Sequence, residues 1–353
     1  MNSSITVIIP AYNRASLIAE TLKSLLNQTL SAKEIIVVDD GSTDGTGEAA
    51  EREFSVFSEQ FSGNSKSNIQ NPTFKVLHQK NAGPGAARNR GLAEATGEFI
   101  HFFDSDDIAA PNKHEVQLRA LLESGADIAY GPWIHGVFTG SRFNPVDLVV
   151  QQKGLPRGNL VKALLTNWSV APHPCLFRRS ILDKVRGFPE NIWMGEDQLM
   201  FLRCILAGAK VVHTPDTLEM YRRENREKIT ASASGRQKFR VDWGRYLLYA
   251  RDEVAKKHED PAKWFGFRLR AWDAWEELRH FGAHEAYGVV NELEEIWNIW
   301  PNYIYRMERF LKQKKAGLKI RLFGSREGSA AKMGHLTNFQ KELIKRSGYF
   351  MDS

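Results

Sequence analysis

Over the first 130 residues, short apolar runs alternate with stretches whose apolar positions recur at helical spacing. Residues 5–10 (ITVIIP) and 34–39 (EIIVVD) are nearly continuous apolar runs ending at turn residues, the pattern of strands buried on both faces. Between them Leu17, Ile18, Leu22, Leu25 and Leu26 fall at helical spacing, so the stretch predicts a β-α-β unit. Residues 74–79 (FKVLHQ) predict a third strand, followed by an alanine-rich helix over 85–95. A fourth run, 98–104 (EFIHFFD), passes straight into acidic residues, and 127–131 predicts a further strand. Strands alternating with helices imply an α/β architecture, a mostly parallel sheet flanked by helices.

Residues 57–72 break this pattern. Ser, Asn, Gly and Gln dominate there, as expected of a mobile surface insertion between the second helix and the third strand. From about Gln237 strand signals fade and tryptophan-rich, helix-forming sequence takes over, with Trp243, Trp264, Trp272, Trp275, Trp297 and Trp300. Trp272, Trp275 and Leu278 sit one turn apart, which predicts a helical appendage with an apolar packing face.

Composition narrows the classes. A 353-residue chain with 42% hydrophobic and 25% charged residues is that of a folded protein with room for a catalytic domain and an extra module. Cys175 and Cys204 form neither a CxxC nor a histidine-associated cluster, which argues against a disulfide framework and a structural zinc site. The amino terminus lacks a signal-peptide pattern and no long apolar run occurs, so a cytoplasmic location is expected. Of the net charge of +6, residues 301–353 hold +8, from 12 Lys/Arg against 4 Asp/Glu. Within them, 310–323 mixes Leu311, Leu318, Ile320 and Leu322 with Lys312, Lys314, Lys315 and Lys319, a composition suited to the inner face of an anionic membrane or to packing on the catalytic domain. No nucleic-acid reading motif accompanies the basic tail, so nucleic acid is not an expected partner.

Four segments carry candidate chemistry. In an open α/β sheet, ligands bind beyond the carboxyl ends of the strands, where Pro10, Ala11, Tyr12 and Arg14 follow the first run. Tyr12 offers a ring face and Arg14 a positive charge. At the end of the second run stands Asp39-Asp40-Gly41-Ser42-Thr43-Asp44-Gly45-Thr46. One of its paired carboxylates can accept from a base N–H, while the Ser, Thr and Asp residues cap the next helix. The third segment, Asp104-Ser105-Asp106-Asp107, places three carboxylates at the tip of a buried apolar strand, a costly arrangement without a cation. Such hard oxygen ligands suit Mg2+ or Mn2+, and in an extended segment Asp104 and Asp106 point the same way. The fourth, Gly195-Glu196-Asp197, opens a helical pattern, where acidic residues either complement the helix dipole or serve as a general base.

Together ITVIIPAYNR, EIIVVDDGSTDGT, NAGPGAARNRG, FDSDD and GED occur in the order and at the gaps of the family 2 glycosyltransferases of the GT-A fold, which residues 4–230 resemble. The resemblance implies a GT-A catalytic domain over 1–235, its nucleotide-binding half 1–130 and acceptor half 131–235, followed by a helical basic region over 236–353. It implies a nucleotide-sugar donor, by preference a UDP-sugar, a divalent cation, and a sugar, glycan or lipid-linked acceptor. Asp40 would contact the base, with Pro10, Ala11 and Tyr12 lining its pocket; Asp104, Ser105 and Asp106 form the D-x-D for ribose and metal, and Asp107 is an extra ligand. Arg88 would offset diphosphate charge, Asp197 would be the catalytic base, and Glu196 its helper or alternative. Many relatives carry a histidine after the Tyr-Arg pair, where this chain has Tyr221-Arg222-Arg223-Glu224, which places the phosphate side in question.

His173, between two prolines, reads either as an acceptor-facing residue or as a strand-edge histidine, and Trp193 as a sugar-stacking or loop-anchoring ring. A dehydrogenase would need a complete glycine fingerprint after the first strand, where this chain has PAYNR, and nucleotidyl transferases open with a basic glycine-rich loop that is also missing. The other rival is a non-catalytic sugar-nucleotide-binding protein on the same fold.

Overall fold

The computed structural model describes residues 4–62, 72–152, 154–223, 233–280, 286–297 and 335–351. The alternation read from the sequence is realised in β1 (Ile5–Ala11), α1 (Ile18–Leu26), β2 (Glu34–Asp39), α2 (Thr46–Ser62), β3 (Thr73–His78), α3 (Pro84–Glu94) and β4 (Phe99–Phe102). There follow β5 (Ile108–Ala109), α4 (Lys113–Ser124), β6 (Ile128–Tyr130), β7 (Trp133–Thr139), β8 (Arg142–Pro145), α5 (Leu160–Thr166), β9 (Cys175–Arg178) and α6 (Arg179–Val185). The chain continues through α7 (Glu196–Leu206), β10 (Val211–His213), β11 (Glu219–Arg222), α8 (Ala233–Ala255), α9 (Phe265–His280), α10 (Tyr287–Trp297) and α11 (Asn338–Arg346).

Among the described residues, seven strands form the main sheet in the order β10-β6-β9-β4-β1-β2-β3. All neighbours are parallel except β9, which runs antiparallel to both β4 and β6. Every residue of β2 and β4 is buried, as continuous apolar runs require of central strands, whereas β3 at the edge is only half-buried. A smaller sheet, β5-β11-β7-β8, forms beside the chain's acidic segment.

The Ser-rich stretch differs in part from the insertion expected over 57–72. Helix α2 runs on to Ser62, because Phe54 and Phe57 continue its apolar face: Phe57 is buried, and Phe54 stacks on Phe74 of β3 with ring centroids 4.3 Å apart. Residues 63–71 lie outside the described residues.

The compact units do not follow a single cut after residue 235. One unit comprises Met1–Leu155, Val170–Asn225 and Lys332–Ser353; the other comprises Pro156–Ser169 and Arg226–Ala331. The difference arises because α11 carries Leu343 and Ile344 into the core of the small sheet, against Ile108, Phe143 and Met220. In the second unit α8, α9 and α10 are helical as the tryptophan-rich sequence after about Gln237 implies, α5 joins them, and Trp272 and Trp297 bury against Leu269 and Trp275. Trp300, Glu224 and the basic segment 310–323 lie outside the described residues. No helix among the described residues is long and apolar enough to cross a membrane.

Candidate active site

The loops at the carboxyl ends of β1 and β2 meet because their polar side chains satisfy one another's backbone. Asn13, at a left-handed φ of 52°, accepts from the Thr43 amide and donates its own amide to Ser42 Oγ. The Arg14 amide donates to Thr46 Oγ1 at 2.8 Å, and the Ala15 amide to Asp44 Oδ2 at 3.0 Å. The Ser, Thr and Asp residues of the second segment therefore form the turn and also fasten the first segment to it. Tyr12 stays exposed at the rim, while Ala11 is buried and Pro10 half-buried.

Asp40 is buried and takes three protein donors: Gln79 Nε2 at 2.7 Å, the Ala82 amide at 2.8 Å and the Gly83 amide at 2.9 Å. These bonds draw the loop before α3 onto the end of β2. Of the roughly four acceptor positions on a carboxylate, one is left for the base contact expected of it. Gly83, at φ 93°, lies under Trp193, whose indole a Cβ at Gly83 would meet at 2.6 Å. Trp193 is thus packed over this loop.

Arg88 of α3 ties the acidic segments together. Its two terminal nitrogens bind Asp104 Oδ1 at 3.1 Å and Glu196 Oε1 at 2.9 Å. The side chain is buried, and although burial opposes its charge, Asp104, Glu196 and Asp197 raise its pKa. Both terminal nitrogens of the guanidinium are taken by carboxylates. Glu196 is buried, and that burial, with Asp197 alongside, pushes its carboxyl up to about 8 against the pull of Arg88. Asp197 is half-buried; burial raises its pKa too, opposed by Arg88 and by the Gln198 amide, which donates at 2.7 Å.

The acidic segment departs from the extended geometry expected of it. Strand β4 ends at Phe102, and residues 104–107 turn, with the Asp107 amide donating to the Asp104 carbonyl at 3.3 Å. In this turn Asp106 lies 3.3 Å from Arg14 Nε, while Asp107 is buried. Ser105 is buried. Asp107 Oδ1 accepts from the Arg222 amide at 2.9 Å, whereas its buried Oδ2 has no hydrogen-bond partner among the described residues. His173 Nδ1 stands 3.9 Å from that oxygen. Burial, together with Asp106, Asp104 and Glu219, holds Asp107 well above the ordinary carboxylate range.

Asp104, Asp107 and His173 offer ligand atoms that all lie within 4.8 Å of one another. Two carboxylates, one of them with an orphaned buried oxygen, and an imidazole fit a divalent cation. His173 joins Asp104 and Asp107 in this cluster, and its supports were not legible in the sequence. His173 Nδ1 bonds Glu219 Oε1, and Glu219 Oε2 lies 3.2 Å from Lys113 Nζ, with all three side chains buried. Burial opposes the His173 imidazolium, and the Glu219 carboxylate overcomes it, so its pKa is raised. The available signal was a charged residue inside an apolar strand, Leu218-Glu219-Met220, where an unpaired charge is not tolerated.

Against known proteins, the profile described as glycosyl transferase family 2 matches residues 6–186, just over half of the chain. The chain belongs to glycosyltransferase family 2. The transferase is 28% identical over 264 residues to glycosyltransferase GlyG of Streptococcus pneumoniae, a match spanning 70% of this chain and 78% of GlyG. An uncharacterized glycosyltransferase of Rickettsia conorii is 32% identical over 201 residues, which are 57% of this chain but only 30% of that protein. Among solved structures, the mannosyltransferase PcManGT of Pyrobaculum calidifontis, in complex with GDP-Man and Mn2+, superposes with a TM-score of 0.50 at 17% identity. The superposition covers 91% of this chain and 82% of that one, and with the family match it establishes the transferase as a GT-A fold.

Proposed function

We propose that the transferase moves a sugar from a nucleotide-diphosphate donor, with a UDP-sugar as the first candidate, to an acceptor hydroxyl with inversion at the anomeric carbon. The observation that carries this reading is the double bridge from Arg88 to Asp104 and Glu196, which joins the acidic segment to the helix start bearing Asp197. Asp197 is the proposed general base. It is more exposed than Glu196, whose carboxylate is held by Arg88, so Glu196 serves as the orienting neighbour. Asp197 takes the proton of the acceptor hydroxyl as that oxygen attacks the anomeric carbon, and the bond to the departing diphosphate breaks on the opposite side. Asp104, Asp107 and His173 would hold the divalent cation, Mn2+ or Mg2+, which supplies Lewis-acid neutralisation of diphosphate charge when bound. Asp40, Pro10, Ala11 and Tyr12 form the proposed base pocket, and Arg14, beside Asp106, offers a half-buried cation on the donor side.

The acceptor, a polysaccharide, glycan or lipid-linked sugar, follows from the family resemblance alone. The test is donor turnover across UDP-, GDP- and dTDP-sugars with Mn2+, Mg2+ or chelator. Metal-dependent release of one nucleotide supports the reading and names the donor. Tight nucleotide binding without turnover across a broad acceptor panel would overturn it in favour of a binding protein.

A further inference from the structure

The last described residues of the chain reach the acidic segment through a short series of side chains. Tyr349 donates its hydroxyl to Glu20 Oε2 at 2.9 Å, and the same oxygen receives Arg222 Nη2 at 2.6 Å. Arg222 in turn holds residues 106 and 107: its Nε donates to the Asp106 carbonyl at 2.9 Å and its amide to Asp107 Oδ1 at 2.9 Å. A second route joins the same groups. The Tyr349 ring packs edge-on against Phe138 with centroids 4.9 Å apart, and the Arg222 guanidinium lies 4.0 Å above that Phe138 ring. Arg222 is buried, so its orientation is set by these partners and not by solvent.

The segment that carries Tyr349 is itself anchored on both sides. Thr337 and Gln340 form a reciprocal capping box at the start of α11. Leu343 and Ile344 enter the core of the small sheet. Beyond the helix, Phe350 exchanges backbone bonds with β8 and the turn before it, accepting from the Phe143 amide and donating to the Ser141 carbonyl, each at 2.8 Å. Tyr349 is therefore held between a docked helix and a strand bridge.

We infer that residues 335–351 are a positioning strap for the acidic loop, with Tyr349 and Glu20 acting through Arg222 to fix Asp106 and Asp107. Neither Tyr349 nor Glu20 touches the candidate ligand set Asp104, Asp107 and His173, so their effect is one of placement. The consequence for cation and nucleotide binding rests on the function proposed above; the ordering of the loop does not.

The experiment compares the full chain with Tyr349→Phe and Glu20→Gln by amide hydrogen exchange without ligand, and by Mn2+ titration. Tyr349→Phe keeps the ring against Phe138 and removes only the hydroxyl. The Asp107 and Arg222 amides should exchange about three- to tenfold faster in each variant, the size of one lost hydrogen bond, while β1 and β2 exchange as before. The double variant should add little to the larger single effect, since both changes break one series of contacts. Unchanged exchange at Asp107 and Arg222, or equal acceleration throughout the catalytic unit, would overturn the strap. The Mn2+ dissociation constant should rise by a similar factor with the melting temperature held. If the unsubstituted chain binds no Mn2+, the metal reading fails, and the exchange data still decide the strap.

Discussion

At the scale of single residues, the site is governed by how few cations face many carboxylates. Arg88 spans Asp104 and Glu196, so truncating it leaves two buried or half-buried carboxyl groups without this donor. Arg88→Met should lower stability by about 3–5 kcal/mol, the cost of breaking a buried pair, as read from urea unfolding. Arg88→Lys should recover part of that loss, because a lysine meets one carboxylate at a time. Asp197 presents the opposite case, a carboxylate with chemistry to perform. Asp197→Asn should reduce kcat by about 10²–10⁴-fold while nucleotide affinity, measured by calorimetry, stays nearly constant. Its pKa is raised by burial, so activity should climb with pH along an acidic limb lying above the ordinary aspartate value of 3.8. That limb should be missing from the residual activity of the asparagine variant.

At the scale of elements, the helix that delivers Arg88 is placed by a close approach to the sheet. A Cβ at Gly91 of α3 would meet Ile8 Cγ2 at 2.4 Å and Val38 Cγ2 at 3.3 Å. Gly91→Ala should therefore lower the thermal midpoint, an overpacking cost of about 1–3 kcal/mol outweighing the gain of up to about 1 kcal/mol from better helix propensity. Since α3 also carries Arg88, turnover should fall with it; a variant that is both more stable and fully active would contradict this packing. The elements themselves were legible. Periodicity marks β1, α1, β2 and β4 because central strands and amphipathic helices must bury apolar faces wherever they pack. The end of α2 was not legible, since the Ser-rich composition of 57–62 hides that Phe54 and Phe57 continue a helical face toward Phe74.

For the molecule as a whole, the opposite end of the sheet keeps the strands in register. Glu34, at the start of β2, accepts from Thr6 Oγ1 at 2.8 Å and the Thr96 amide at 3.0 Å, and lies 3.1 Å from Lys75 Nζ. It thereby joins β1, β2, β3 and the approach to β4, far along the strands from the catalytic loops. Burial opposes its charge, but these partners win and its pKa is lowered from 4.5. A carboxyl with a depressed folded-state pKa contributes stability that is present above pH 4.5 and is lost as pH falls through the lower, folded value. Glu34→Gln should cost about 1–3 kcal/mol at neutral pH, and the difference from the unsubstituted chain should close in acid unfolding experiments below pH 4.5. Turnover per folded molecule should not change.

The sequence by itself determined the alternating elements, the parallel sheet and the identity of the acidic and glycine-rich segments at its strand ends. Local periodicity and motif order are properties of neighbouring residues, and they survive without knowledge of distant ones. Tertiary structure decided the partners. It turned 104–107 so that Asp106 meets Arg14 and Asp107 faces His173, and it gave Arg88 two carboxylates. It also buried Lys113 and Glu219 behind His173 and returned Tyr349 to Glu20, 329 residues away along the chain. Whether a buried charge is tolerated, and what it can do, depends on which opposite charge the fold brings within hydrogen-bond reach.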